Sequence, residues 1–161
     1  SSIAKIDIET QSIVNYFDVG NGPRKMILED NELWIARRYY DDNWNPIYGT
    51  SKLNITTEVL TSINYGSGTV CGGSVVRYND EIHRTSNGGL IPMDADLNLI
   101  QSARIGEYSS AVSAAVNSDY LYLGTSDYLA PDTVFVHNSS GEFVRQLIVI
   151  ENPNSYQFWK D

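Results

Sequence analysis

One pattern of apolar residue, turn and second strand returns four times along the chain, and this constrains the fold more than any single motif. The first copy reads Ile6-Asp7-Ile8-Glu9-Thr10, then Ile13-Val14-Asn15-Tyr16-Phe17-Asp18-Val19-Gly20. The second spans 52–57 and 59–66, the third 92–96 and 99–106, and the fourth 135–138 and 143–149. The apolar residue before the turn stands at Ile6, Leu53, Met93 and Val136, at spacings of 47, 40 and 43 residues. A glycine closes the second strand at Gly20, Gly66 and Gly106. Between the copies lies another hairpin: 24–28 with 32–36, 74–78 with 81–84, and 111–116 with 120–123. Its turns, Glu29-Asp30-Asn31, Asn79-Asp80 and Asn117-Ser118-Asp119, use residues that tolerate tight-turn dihedrals.

Short alternating strands, polar turns and no sustained helical periodicity give an all-β chain. A period of about 40 to 50 residues holding four strands is the signature of a propeller blade, and each blade must stack on neighbours to bury its faces. A β-sandwich would leave the repeat unexplained. The expected architecture is a β-propeller of four-stranded antiparallel blades, with inner strands near 24–29, 73–78, 110–116 and 155–160. Residues 1–20 supply an outer strand pair, 21–66, 67–106 and 107–150 supply blades, and 151–161 supply the inner strand of a further blade. The whole chain, 1–161, then amounts to about half a ring.

The residues of the first copy carry a family resemblance. Ile6-Asp7-x-x-Thr10-x-x-x-Val14, Val19-Gly20-x-x-Pro23 and Leu33-Trp34-Ile35-Ala36 resemble the YVTN-type (surface-layer) β-propeller repeat. Arg37 stands where that repeat has Asn, and Gly66 and Gly106 lack the following Pro. The resemblance implies a ring of seven or so blades, found mostly in bacterial and archaeal envelope, periplasmic and surface proteins that bind or scaffold. Some propeller relatives are lyases or redox subunits.

Charge narrows the partners. Eleven Lys and Arg against twenty Asp and Glu leave a net charge of -9, so nucleic acid and anionic membranes are not expected partners. No apolar run is long enough to span a bilayer. The single cysteine, Cys71, reads as a small half-buried thiol. Low lysine, acidity and the sequons Asn54-Ile55-Thr56 and Asn138-Ser139-Ser140 fit an extracytoplasmic location, at the cell surface or in a periplasm.

In a four-stranded blade, the loops between second and third strands share one end with the connections between blades. The longest insertion, 39–49, falls at that end, with 65–73, Glu107-Tyr108 and 127–132. Aromatic residues on loops of a rigid scaffold are where ligands are held, so Tyr39, Tyr40, Trp44, Tyr48, Tyr108 and Tyr128 are the candidate ligand-binding residues. Asp41, Asn43 and Asn45 have the alternate-oxygen spacing of a calcium loop, but Pro46 stands where the turn glycine belongs. His83 and His137 read as strand-surface residues, and no catalytic set emerges from carboxylates or histidines. Arg24 and Lys25 open an inner strand as solvated bases.

The expected role is a binding or protein-interaction module without cofactor, taking a glycan or a polar peptide on the aromatic loop end. Its partners are a protein or the remaining half of the propeller. The alternatives are a structural subunit of an envelope assembly, or part of a propeller hydrolase or lyase whose active site lies outside this segment.

Overall fold

A computed structural model describes residues 1–67, 73–129 and 131–159, and there the chain is all-β, with four antiparallel sheets of two to four strands, none of them closed. Cys71 lies outside the described residues. The chain divides into two compact units, Ser1–Ser67 and Gly68–Asp161.

In the first unit β1 (Ser2–Asp7) and β2 (Ser12–Asp18) form a hairpin, and β3 (Pro23–Glu29), β4 (Glu32–Tyr40), β5 (Pro46–Asn54) and β6 (Leu60–Ser67) form a sheet in chain order. Asp30 and Asn31 join β3 to β4 with φ of 46° and 66°, the two-residue turn whose twist matches paired strands. Alternation then sorts the side chains. Met26 faces Ile35 across the ladder, and Leu28, Leu33 and Leu53 follow in one row. On this face Ile35 and Leu53 meet Phe17 and Val19 from the hairpin, with Ile3, Leu33 and Ile55 at the margin. Burying each such aliphatic side chain contributes about 1.5–3 kcal/mol.

The second unit repeats the scheme. β7 (Val75–Tyr78), β8 (Glu81–Ser86) and β9 (Gly89–Pro92) form one sheet. β10 (Ala111–Val116), β11 (Tyr120–Thr125), β12 (Asp132–Asn138) and β13 (Phe143–Val149) form the other, again in chain order. Tyr78, Leu90, Leu121 and Leu123 are the core between them, with Val76, Ile105, Ala114, Val116 and Phe135 packed around. The Tyr78 hydroxyl donates to the Asn138 carbonyl at 2.6 Å, which ties the two sheets at their turn ends. Leu121 and Leu123 thus hold the places of Leu33 and Ile35, each pair facing the sheet that precedes it in the chain.

Several expectations are corrected. Residues 99–106 do not form a strand: isolated bridges join Met93 to Leu99 and Leu90 to Ile105, with a 3₁₀ turn at Gln101–Ala103 between them. Gln101-Ser102-Ala103 offers no β-branched side chain to hold a pleat, and Arg104 closes the turn by donating to Gln101 Oε1 at 3.1 Å. Residues 155–159 join no sheet. Asn152 has φ 45° and Pro153 lacks an N–H, so the chain leaves β13 without starting a ladder. Instead Tyr156 and Phe158 lay their rings on Tyr122, at 6.2 and 5.0 Å between centroids. In the fourth copy His137, not Val136, holds the place of Leu53: it lies opposite Leu121 and next to Asn138, as Leu53 lies opposite Leu33 and next to Asn54.

Candidate functional site

The insertion at 39–49 is mostly strand. β4 and β5 run as a long paired ribbon to Tyr40 opposite Pro46, and only five residues turn. Asp41 builds that turn. Its Oδ1 accepts from Asn43 N at 2.9 Å and from Asn45 N at 2.8 Å, and its Oδ2 accepts from Asn45 Nδ2 at 3.1 Å. The Asp41 carbonyl takes Trp44 N, and Asp41 N donates to the Asn45 carbonyl. These bonds, the Asn45 side chain first, hold the Asp41 carboxyl below the usual carboxylate range. The oxygen spacing read as a calcium loop is therefore the spacing of an Asx turn, in which the first carboxylate binds its own backbone.

The same turn occurs at Asp94. Its Oδ1 accepts from Asp96 N and Asn98 N, at 2.9 and 2.8 Å, and its Oδ2 from Asn98 Nδ2 at 2.9 Å. Asn138 makes a third with Ser140 N and Glu142 N, each at 3.0 Å. The fourth residue of each turn is left-handed: Trp44 at φ 63°, Leu97 at φ 69° and Gly141 at φ 81°. Leu97 is fully buried, and Gly141 lies against the Ile105 side chain. Trp44 is 81% exposed.

Beside it stands Tyr40, half exposed, with ring centroids 6.1 Å apart and planes at 47°. Arg38, which sequence reading passed over, places its guanidinium 5.8 Å from the Tyr40 ring and donates from Nη2 to its hydroxyl at 3.2 Å. The alternation of β4, which puts residues 38 and 40 on one side, was the available signal. Exposed Asp42 and Asn43 flank the pair.

The remaining candidates are placed differently. Tyr39 is half-buried near the end of β4, its ring 6.0 Å from the Arg37 guanidinium. Tyr48 is buried within β5. Tyr108 belongs to the second unit, stacked on Phe135 at 3.7 Å and 9°, with its hydroxyl 2.7 Å from His137 Nε2. Tyr128 is exposed at φ 66° in the loop between β11 and β12, its N–H given to Ser126 Oγ. Of the six candidates, only Tyr40 and Trp44 come together as an exposed aromatic pair.

Both histidines are buried, not on the strand surface as expected. His83 meets Tyr78 edge-on at 5.5 Å, and His137 Nδ1 lies 2.9 Å from the Gly141 carbonyl. Arg37 is also buried, its Nη2 donating to the Ile63 carbonyl at 3.0 Å and to Asn64 Oδ1 at 2.8 Å. Among the described residues no three His, Cys, Asp or Glu side chains gather as a metal-holding group, and no helix is long and apolar enough to cross a membrane. Compared with models of known protein families and with curated proteins, the chain matches none.

Proposed function

We propose that the chain is about half of a β-propeller of YVTN-type repeats, and that it binds a glycan outside the cytoplasm on the turn bearing Tyr40 and Trp44. Support for the propeller is the recurrence of sheets in strict chain order, stacked in the same sense in both units. The blades are then 21–66, 67–106 and 107–150. Acidity and scarce lysine support the extracytoplasmic location.

The ligand reading rests on Trp44. A side chain held in the left-handed region costs about 1–2 kcal/mol. Leu97 offsets that cost by burying its whole side chain, whereas Trp44 leaves its indole in water. The return on such an arrangement lies in what the indole meets outside the chain. Two tilted aromatic faces stack on the C–H faces of sugar rings, and Asp42 and Asn43 are placed to hydrogen-bond hydroxyls.

An array of immobilised oligosaccharides, probed with the chain and with Trp44→Ala, tests this. At least one glycan is expected to retain the chain, and the variant should bind it about 30-fold more weakly, the loss of a hot-spot aromatic. Retention of no glycan, or equal binding by Trp44→Ala, overturns the reading. Capture of polar peptides in place of glycans assigns the surface to a protein partner.

A further inference from the structure

Met26 and Leu28 project from β3 to the same side as Ile35 and Leu33, yet they are 50% and 57% exposed. The second unit has the corresponding place filled. Ala114 and Val116 stand opposite Leu123 and Leu121, as Met26 and Leu28 stand opposite Ile35 and Leu33. There Val76 and Tyr78 of β7 join the same core cluster. β7 and β8 are the first two strands of the sheet that covers β10–β13.

Among the described residues the sheet that covers β3–β6 consists of β1 and β2. Their pairing corresponds to β9 and the segment after it: Ile3 lies opposite Phe17, and Leu90 bridges Ile105. Among the described residues β1 pairs only with β2, where β9 pairs also with β8. An open ladder edge thus accompanies an uncovered apolar strip, and a strand added at such an edge gains main-chain hydrogen bonds together with side-chain burial.

We infer that β1 and the Met26–Leu28 strip form a docking surface for a two-stranded antiparallel β-hairpin from a partner segment. Its second strand pairs with β1. Its first strand lays apolar side chains, spaced like Val76 and Tyr78, over Met26 and Leu28. A second copy of this chain is a poor occupant: its hairpins are already committed to sheets, and two chains of charge -9 repel. The inference stands on the likeness between the two units, not on the ring or the glycan proposed above.

The chain's two methionines supply the readout, because Met26 is open and Met93 is only 7% exposed. A copy of residues 73–88, which carries β7, β8 and the loop to β9, is joined ahead of Ser1 in the full chain, and sulfoxide formation in dilute peroxide is followed by mass spectrometry. Tethering sets a high effective concentration, so Met26 should oxidise about tenfold more slowly than in the parent chain, with Met93 as internal reference. Val76→Asp and Tyr78→Asp, made in the joined copy alone, should restore the parent rate. Equal Met26 rates in joined and parent chains overturn the inference. So does Met26 protection in the parent chain that grows with protein concentration, which makes a second copy the occupant.

Discussion

Trp44 and Leu97 occupy the same position, the left-handed fourth residue of an Asp-capped five-residue turn, and their side chains meet opposite fates: Leu97 is fully buried and Trp44 stands in solvent. The turn fixes the backbone in both cases through one carboxylate. What differs is the surroundings of the fourth side chain, so one local motif serves as a core anchor in the second unit and as a display in the first. This separation of backbone chemistry from side-chain use makes the turns a direct place to test the proposals.

The turn caps should carry measurable stability. Asn138 Oδ1 accepts from Ser140 N and Glu142 N, and its amide nitrogen donates to Glu142 Oε2 at 3.0 Å. Asn138→Ala removes these bonds and should cost about 1–2 kcal/mol in urea denaturation, while the neighbouring Ser139→Ala should cost little. Asn138→Asp keeps the accepting oxygen but sets a carboxylate against Glu142, so it should fall between them at neutral pH. Asn54 Oδ1 likewise accepts from the backbone of its own turn, from Thr56 N at 3.0 Å and Thr57 N at 2.8 Å, while its Nδ2 donates across the sheet to Glu32 Oε1 at 2.9 Å. Both sequon asparagines are therefore turn caps, and equal stability of Asn138→Ala and Ser139→Ala would contradict that role.

Gly49 makes room for a buried arginine. A Cβ at that position would lie 2.5 Å from the Ile63 carbonyl oxygen and 2.7 Å from Arg37 Nη2. Gly49→Ala must displace either a β6 carbonyl or the guanidinium that binds it, at about 1–3 kcal/mol. Arg37→Lys should also destabilise, since a shorter side chain must carry a more strongly hydrated ammonium into the buried site where Arg37 Nη2 meets Ile63 and Asn64. A midpoint for Gly49→Ala within error of the parent chain would refute the packing argument.

Much of this fold is legible in residue order because it rests on local chemistry. Asp30-Asn31 and Asn79-Asp80 need left-handed dihedrals and use residues that accept them. Alternating apolar residues then set which face is core. Long-range packing decided what the sequence did not disclose. The apolar pattern marks Val136, yet His137 takes the register position of Leu53 beside the Asn138 cap, and an apolar count passes over a histidine that the fold buries. Residues 155–159 alternate like a strand, yet their rings settle on Tyr122 without a ladder. Six aromatics were equal as loop residues. Burial separates them, and burial depends on what the fold brings near: Phe135 stacks on Tyr108, whereas Trp44 meets Tyr40 alone among the described aromatic rings and stays in solvent.

Stability should depend on pH through His83. Its ring is buried, and burial holds its pKa below the ordinary 6.5, outweighing the Glu81 carbonyl and carboxylate, which raise it. Below about pH 6.5 the unfolded chain takes up a proton that the folded chain resists. Stability is therefore full above that pH and falls as pH drops from 6.5 toward the depressed folded value. The depressed carboxylates of Asp41 and Asp94 lose their share only at lower pH, below their ordinary 3.8, so the two losses are separable. Urea midpoints between pH 7.5 and 5 should decline in the parent chain and flatten in His83→Gln. Identical slopes in the two chains would remove His83 as the cause.

Replacing Trp44 and Leu97 by glycine should move stability in opposite directions. Glycine adopts the left-handed conformation at both places without steric cost, so each change recovers about 1 kcal/mol of backbone strain. At Leu97 that gain is overwhelmed, because losing a fully buried leucine side chain costs about 2–5 kcal/mol. At Trp44 little burial is lost, since the indole is mostly in solvent and its chief neighbour is Tyr40 at 6.1 Å. Trp44→Gly should therefore leave the chain as stable as the parent or slightly more so, while abolishing retention on any glycan the parent binds. Leu97→Gly should lower the urea midpoint clearly and leave glycan retention intact at concentrations of denaturant where the fold persists. If Trp44→Gly instead unfolds the chain, the indole is a structural cover and the turn is no binding site.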